Sequence, residues 1–267
     1  MTREELVQQI QTKKSFLCVG LDPDLSRMPK SHNSPEGVVD FCAQIIDATK
    51  DYCVAYKPNI AFFEALGRKG WDVLYQLAEM LPADTFNIAD AKRADIGNSS
   101  RMYAKAFFDE MQFDAVTVAP YMGSDSVIPF LEYEDKWTVL LALTSNKGYS
   151  DFQVLSTDDG TRFYQHVLRK AAQWGSPDNL MFVVGATHPE MLAEVRANAK
   201  EHFFLVPGVG AQGGDLGSVA RAAMNDDIGL LVNSTRAVIY ASQGDDFAIQ
   251  AGAVAKEYQV EMAEYLS

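Results

Sequence analysis

Eight short apolar segments recur along the chain, and their regular spacing restricts the kind of sheet that it can build. They start at Phe16, Cys53, Phe86, Ala115, Trp137, Leu180, Phe203 and Gly229. Each segment ends in polar residues or glycine and is followed by a stretch with helical character, as expected of a strand and its connection. The starts lie 22 to 43 residues apart. One strand plus one crossover helix needs about 25 to 40 residues, so each interval lies within or close to the length of one βα unit.

Strands that are apolar almost throughout are typical of a parallel sheet covered by helices on its outer face. Eight βα units in 267 residues therefore favour an α/β chain closed into a (β/α)₈ TIM barrel. An open doubly wound sheet is the alternative arrangement of the same units. No low-complexity linker or shift in composition divides the sequence, so we expect residues 1–267 to form a single domain.

Helix signals are clearest near the two ends of the sequence. Thr2 and Glu5 form a capping-box pattern, which predicts a first helix with Leu6 and Ile10 on one face. Apolar residues recur every three or four positions from Phe247 to Tyr265, which predicts a long final helix.

Composition and charge limit the partners of the chain. Its 36 acidic and 23 basic residues give a formal net charge of −13, which opposes binding to nucleic acid or to an anionic membrane surface. No apolar run approaches the roughly 20 residues of a membrane span. Three cysteines without a C-x-x-C spacing, and a polar N-terminus, predict reduced thiols and a cytoplasmic location. The four histidines are scattered, so no histidine-built metal site is expected.

Charged residues cluster at the predicted carboxyl end of the third strand, the end at which such barrels place their chemistry. Asp90 and Lys92 are two positions apart and should point to the same side, with Asp95 in the loop or helical turn beyond. Two carboxylates around one ammonium keep it charged, which favours a proton donor over a Schiff-base nucleophile. An exposed ion pair at a helix start is the alternative interpretation.

A second group of residues predicts a phosphate site. The loop after the seventh strand, residues 207–217, contains five glycines and Gln212, and Arg236 follows the eighth strand. Phosphate commonly binds at these two loops in (β/α)₈ barrels. Glycines let backbone amides approach an anion, and a guanidinium pairs well with phosphate. A flexible turn and a surface arginine are the alternative.

Taken together, six motifs in this order resemble the orotidine 5′-phosphate decarboxylase family over nearly the whole chain. The motifs are Asp22-Pro23, Lys57-Pro-Asn59, Asp90-Ala-Lys92-Arg-Ala-Asp95-Ile-Gly97, Thr144-Ser145-Asn-Lys-Gly148, Pro207-Gly-Val-Gly-Ala-Gln212-Gly-Gly and Arg236. The resemblance implies a homodimer with sites at its interface. It also implies conversion of orotidine 5′-phosphate to UMP in de novo pyrimidine biosynthesis, without metal or cofactor.

The resemblance further implies a role for each matching residue. Lys92 would protonate C6 of the pyrimidine as carbon dioxide leaves, and Asp90 and Lys57 would complete the charged network around it. Asp95, with Ile96 beside it, would reach into the partner subunit's site. The remaining implied substrate contacts are Asp22 and Lys57 with the ribose, Ser99 where the family often has threonine, Ser145 with the pyrimidine, and Gln212 and Arg236 with the phosphate. The chain departs from many family members at Thr235, where they have glycine, and it has no tyrosine in residues 208–217.

Two other functions compete with this interpretation. A magnesium-dependent sugar-phosphate decarboxylase or aldolase of the same suprafamily also carries the D-x-K-x-x-D pattern. The ketogulonate-phosphate type holds its metal partly through a glutamate on the second strand, where this chain has the cation Lys57. A catalytically silent ligand-binding barrel would be expected to have lost Lys92 or one of the aspartates, and all are present.

Overall fold

A computed structural model describes residues 1–186, 189–209 and 215–266, and these residues form a closed barrel of parallel strands. The strands are β1 Leu17–Leu21, β2 Ala55–Pro58, β3 Phe86–Arg93, β4 Ala115–Val118, β5 Trp137–Leu143, β6 Leu180–Val184, β7 Phe204–Pro207 and β8 Leu230–Ser234. Each strand pairs with the next in the sequence, and β8 pairs back to β1. The predicted (β/α)₈ barrel is therefore confirmed, and the open doubly wound alternative is wrong. Every strand begins within two residues of the start of its apolar segment.

Helices connect the strands and cover the outside of the barrel. They are α1 Arg3–Lys13, α2 Gly37–Thr49, α3 Ile60–Glu64, α4 Arg68–Met80, α5 Gly97–Lys105, α6 Ile128–Leu131, α7 Tyr149–Phe152, α8 Phe163–Ala171, α9 Pro189–Asn198, α10 Leu216–Ala223, α11 Arg236–Ile239 and α12 Phe247–Ala263. A π-helical turn over Ala106–Glu110 continues α5, and a 3₁₀ turn over Ser124–Ser126 precedes α6. The predicted final helix is confirmed as α12, which buries Phe247, Ala251 and Met262.

The first helix covers the amino-terminal end of the barrel. The predicted capping box is present, because the side chains of Thr2 and Glu5 each bond the main chain of the other. The terminal ammonium of Met1 pairs with Asp114 at 2.7 Å, just before β4, and the Met1 carbonyl accepts a bond from the Trp137 indole. These contacts close one end of the barrel and leave the carboxyl ends of the strands as the open mouth.

The strands are buried along nearly their whole length, as the continuous apolar segments predict. The buried polar side chains toward the carboxyl ends of the strands include Lys57, Asp90, Thr117 and Asn233. All three cysteines are free and buried, in agreement with the prediction of reduced thiols. Within the described ranges, no helix has both the length and the apolar character needed to cross a membrane.

Candidate active site

The carboxylate of Asp90 lies between two lysines at the mouth of the barrel. Its Oδ2 is 2.7 Å from the Nζ atom of Lys57, on β2, and its Oδ1 is 2.5 Å from the Nζ atom of Lys92, on its own strand. Asp90 and Lys57 are buried, whereas half of the Lys92 side chain (50%) is exposed. The cluster therefore presents one ammonium to the mouth and keeps its counter-charges inside the barrel.

Burial and the neighbouring charges shift the pKa values of Asp90 and Lys57 in opposite directions, and the combined effect of the charges is larger. Burial by itself would raise the pKa of Asp90, but the ammonium groups of Lys57 and Lys92 hold that pKa well below its ordinary value. Burial by itself would lower the pKa of Lys57, but the carboxylates of Asp90 and Asp22 raise it above its ordinary value. Both groups stay ionised at neutral pH, which fixes the electrostatic field at the mouth.

Asp90 and Lys92 meet as the sequence predicts, but the backbone between them is not a regular strand. The pairing of β3 with β4 shifts between Ala89 and Arg93, and Lys92 has a positive φ of 47°. Simple alternation of side chains does not describe such a segment. Contact between the two side chains depends on this irregularity as well as on their spacing.

Asp22, at the end of β1, lines a cavity of about 200 Å³ at the mouth. Burial raises the pKa of its carboxyl, although the charge of Lys57 acts in the opposite direction. One of its oxygens, Oδ1, is buried with no hydrogen-bond partner in the part of the chain that the structure describes. Lys57, Asp90 and Arg236 line the same cavity, so four neighbouring regions of the barrel, β8, β1, β2 and β3, contribute to it.

Asp95 does not join the lysine cluster of its own chain. It lies in the loop between β3 and α5, where its Oδ1 accepts a hydrogen bond from the amide of Ile96 at 2.7 Å. Among the described residues it forms no salt bridge with Lys92. Ile96 is 56% exposed, and Ser99 is exposed in the first turn of α5. This segment is therefore accessible to solvent, and its carboxylate is bonded to its own loop.

The other predicted site residues follow β5, β7 and β8. Ser145 is half-buried just beyond β5, whose end is held by hydrogen bonds between Thr144 and the side chain of Gln153. Arg236 is the first residue of α11 and is exposed beside the cavity. Gln212 belongs to residues 210–214, which lie outside the described residues.

Two residues near the cluster are absent from the sequence-based predictions. Thr117, on β4, contacts both Asp90 and Lys92, and Tyr240, after α11, contacts the main chain of Asp22. A threonine within the apolar segment AVTVAP was the only sequence signal for the first. Nothing in the sequence connects Tyr240 to Asp22, which is 218 residues away.

The structure also bears on metal binding. Across the described ranges, no group of three or more histidine, cysteine or carboxylate side chains is arranged to hold a metal ion. The expected absence of a metal site stays a prediction, since it concerns the working protein and its substrate complex.

Comparisons with known proteins agree with this geometry. Residues 15–248 match the family described as Orotidine 5′-phosphate decarboxylase / HUMPS family. The chain is 56% identical to orotidine 5′-phosphate decarboxylase from Flavobacterium johnsoniae, over 100% of this chain and 98% of that protein. It is 50% identical to the Bacteroides fragilis protein of the same name, again over 100% and 98%. The solved structure of Leishmania donovani OMP decarboxylase superposes with a TM-score of 0.84 at 36% identity, covering 99% of both chains.

Proposed function

The chain belongs to the orotidine 5′-phosphate decarboxylase / HUMPS family, and from that premise we propose which of its residues convert orotidine 5′-phosphate to UMP in pyrimidine biosynthesis. Lys92 is the proton donor. The observation that carries this assignment is its half-exposed side chain, whose ammonium is held 2.5 Å from a buried, ionised Asp90 at the mouth of the barrel. The magnesium-dependent alternative is not favoured, because the relatives that are 50–56% identical over the full chain are named orotidine 5′-phosphate decarboxylases.

The chemistry requires a cation at one carbon atom. When the C6 carboxylate leaves as carbon dioxide, the electron pair of the broken bond remains on C6. The Lys92 ammonium offsets this charge and then transfers a proton to C6, which gives UMP and a neutral lysine that regains its proton from water. Because Asp90 holds the ammonium before the reaction begins, little reorganisation is needed as the charge develops.

The ion pair of Asp90 and Lys57 holds Lys92 in place and keeps its counter-charge fixed. The bond between Lys57 and Asp90 is buried, so it is screened little by solvent and keeps the carboxylate ionised. A carboxylate this close to the reacting carbon can also crowd the carboxylate of the substrate. Both effects depend on Asp90 staying charged, and the direction of its pKa supports that.

We assign the substrate contacts by the family resemblance together with the position of each residue. The assignments are Asp22 and Lys57 for the ribose hydroxyls, Ser145 for the pyrimidine, Gln212 and Arg236 for the phosphate, and Ile96 and Ser99 beside Asp95. Asp22, Lys57 and Arg236 line one cavity, which supports the ribose and phosphate assignments. Phosphate held away from C6 can supply binding energy for the reaction without touching the reacting atoms.

Asp95 forms no salt bridge with Lys92 within the described chain, and this supports a homodimer in which Asp95 enters the partner subunit's site. We further propose that the chain is one domain that works in the cytoplasm without a metal or cofactor. The free, buried thiols support the location, and the cation Lys57 beside Asp90 disfavours a metal there.

Lys92→Ala tests the central assignment. With orotidine 5′-phosphate as substrate, followed by its loss of absorbance, the variant should lose several orders of magnitude in kcat. Lys50→Ala is a matched control, because Lys50 is also half-exposed (45%) and paired with an aspartate, Asp47, but lies at the end of α2. Activity of Lys92→Ala within tenfold of the wild type would overturn the assignment. Loss of wild-type activity in EDTA, restored by magnesium, would favour the sugar-phosphate alternative.

A further inference from the structure

The hydroxyl of Thr117 links the two residues at the centre of the proposed mechanism. It accepts a hydrogen bond from the main-chain amide of Lys92 at 2.9 Å and donates one to Oδ1 of Asp90 at 3.0 Å. The side chain lies on β4 and is only 1% exposed, so water does not compete for either bond. A single buried hydroxyl therefore contacts both the backbone of the proton donor and its counter-charge.

The backbone of Lys92 needs such a partner. Its φ of 47° lies in the left-handed region, which is unfavourable for a residue with a side chain. The register shift between Ala89 and Arg93 removes this part of β3 from regular pairing with β4. The amide of Lys92 thus bonds a side-chain oxygen, Oγ1 of Thr117, in place of a strand carbonyl.

We propose that Thr117 is a positioning residue for the decarboxylation, and this inference rests on the proposed role of Lys92. Oδ1 of Asp90 accepts hydrogen bonds from the Lys92 ammonium and the Thr117 hydroxyl, and Oδ2 accepts one from the Lys57 ammonium. Thr117 thereby fixes the position of the Lys92 amide relative to the Asp90 carboxylate. The ammonium at the far end of the lysine is then directed to one place at the mouth.

Removal of the hydroxyl should affect the reaction more than substrate binding. In Thr117→Val the side chain keeps its shape, but the Lys92 amide loses its acceptor and Asp90 loses one of its donors. Asp90 remains bound to Lys57, so its charge stays in place. The backbone of Lys92 is free to relax, and displacement of a reacting group by about 1 Å can cost about 100-fold in rate.

Three variants of the full-length protein test the proposal. Thr117→Val should lower kcat for orotidine 5′-phosphate by about 10- to 100-fold while KM and inhibition by UMP change less than about threefold. Thr117→Ser keeps the hydroxyl and should recover kcat to within about threefold of wild type. Thr138→Val is the matched control, since Thr138 is a fully buried threonine on β5 whose hydroxyl has no partner among the described residues. It should leave kcat unchanged.

Each result decides the question. Wild-type kcat in Thr117→Val, or equal losses in the valine and serine variants, would overturn the proposal, because the hydroxyl would then not matter. Loss of UMP binding in parallel with kcat would show that Thr117 serves only the general structure of the barrel. If the valine variant does not fold, Thr117→Ala against Thr117→Ser gives the same comparison. If the wild-type protein does not decarboxylate orotidine 5′-phosphate, or if Lys92→Ala still does, the proposed function itself is refuted.

Discussion

The phenolic hydroxyl of Tyr240 donates a hydrogen bond to the main-chain carbonyl of Asp22, 2.6 Å away, and accepts one from the amide of Asp24. Burial raises the pKa of Tyr240 to about 12, so the phenol remains a donor at neutral pH. The residue directly follows α11, which begins at Arg236. One side chain therefore connects the proposed phosphate end of the site to the proposed ribose end.

Tyr240→Phe removes both hydrogen bonds and keeps the ring, which stacks on Phe41 and lies under the guanidinium of Arg27. We expect KM for orotidine 5′-phosphate to rise roughly tenfold, because loss of about 1.4 kcal/mol of well-placed hydrogen bonding costs that much affinity. Steady-state kinetics measure this change. Tyr75→Phe, at an exposed position on α4, is the control and should leave KM unaltered. A fall in thermal stability with normal KM would contradict the link to Asp22.

Gly20 and Thr235 fit together too closely for a larger residue at position 20. A Cβ atom on Gly20 would lie 1.9 Å from Oγ1 of Thr235, which is far inside van der Waals contact. Gly20 lies on β1 beside Lys57, and the Thr235 hydroxyl accepts a hydrogen bond from Asn233. The pair therefore lies at the mouth, beside a residue of the proposed catalytic cluster.

A double-mutant cycle tests this pair. Gly20→Ala should destabilise the protein by about 1–3 kcal/mol, the usual range for overpacking, and should lower activity through its neighbour Lys57. Adding Thr235→Gly should recover much of the unfolding free energy, as measured by urea denaturation. Destabilisations that simply add in the double variant would show that the clash is relieved elsewhere.

The barrel could be predicted from the sequence because its determinants are local. A segment such as WTVLLALT is apolar at six of its eight positions, and this pattern indicates β5 as a buried strand. The proximity of Asp90 and Lys92 could also be predicted from their spacing, although their contact depends as well on the irregular backbone at Lys92. The predicted and observed elements agree wherever the argument needs only a few consecutive residues.

The contacts that complete the site could not be predicted in this way. The positive φ of Lys92 and its bond to Thr117 depend on the register between β3 and β4, which no local pattern specifies. Tyr240 reaches Asp22 only because the barrel closes β8 against β1. Sequence thus predicts the charges at the mouth, whereas their orientation comes from long-range closure of the sheet.

His202 is a buried histidine outside the site. We expect its burial to make the free energy of unfolding depend on pH. It is 7% exposed and packs against Phe182, and neither ring nitrogen has a hydrogen-bond partner within the described ranges. Burial, followed by the charges of Arg3 and Arg196, lowers its pKa to about 4. The folded protein therefore holds this ring neutral at pH values where the unfolded chain protonates it.

The contribution of neutral His202 to the unfolding free energy is fully present above pH 6.5, the ordinary pKa of histidine. It is lost as the pH falls toward 4, the pKa in the folded protein. We expect a loss of about 3 kcal/mol over this interval, an upper figure that corresponds to the size of the shift. The difference between wild type and His202→Phe in unfolding free energy, measured from pH 7 to pH 4, isolates the effect from titrating carboxylates. His166→Gln, at a more exposed histidine beside Asp159, should keep the wild-type loss. An equal loss in His202→Phe would assign the pH dependence to other groups.

The last prediction is that Asp95 works across the proposed homodimer. In its own chain its carboxylate bonds the amide of Ile96 and forms no salt bridge with Lys92 among the described residues, whereas Asp90 contacts Lys92 directly. If Asp95 completes the partner subunit's site, a heterodimer of Lys92→Ala and Asp95→Asn chains has one intact site and one site with both defects. Random exchange of two inactive variants places about half of the molecules in such heterodimers, so roughly a quarter of wild-type activity should return.

A second mixture provides the matched control for this experiment. Lys92→Ala combined with Asp90→Asn should recover nothing, because these two residues contact each other within one chain and every heterodimer site lacks one of them. Mass spectrometry of the mixed sample confirms that subunits have exchanged. Recovery in the first mixture and not in the second requires Asp95 to act in trans. Equal, negligible activity in both mixtures after confirmed exchange would place Asp95 in the site of its own chain, and the loop between β3 and α5 would then have to turn inward when substrate binds.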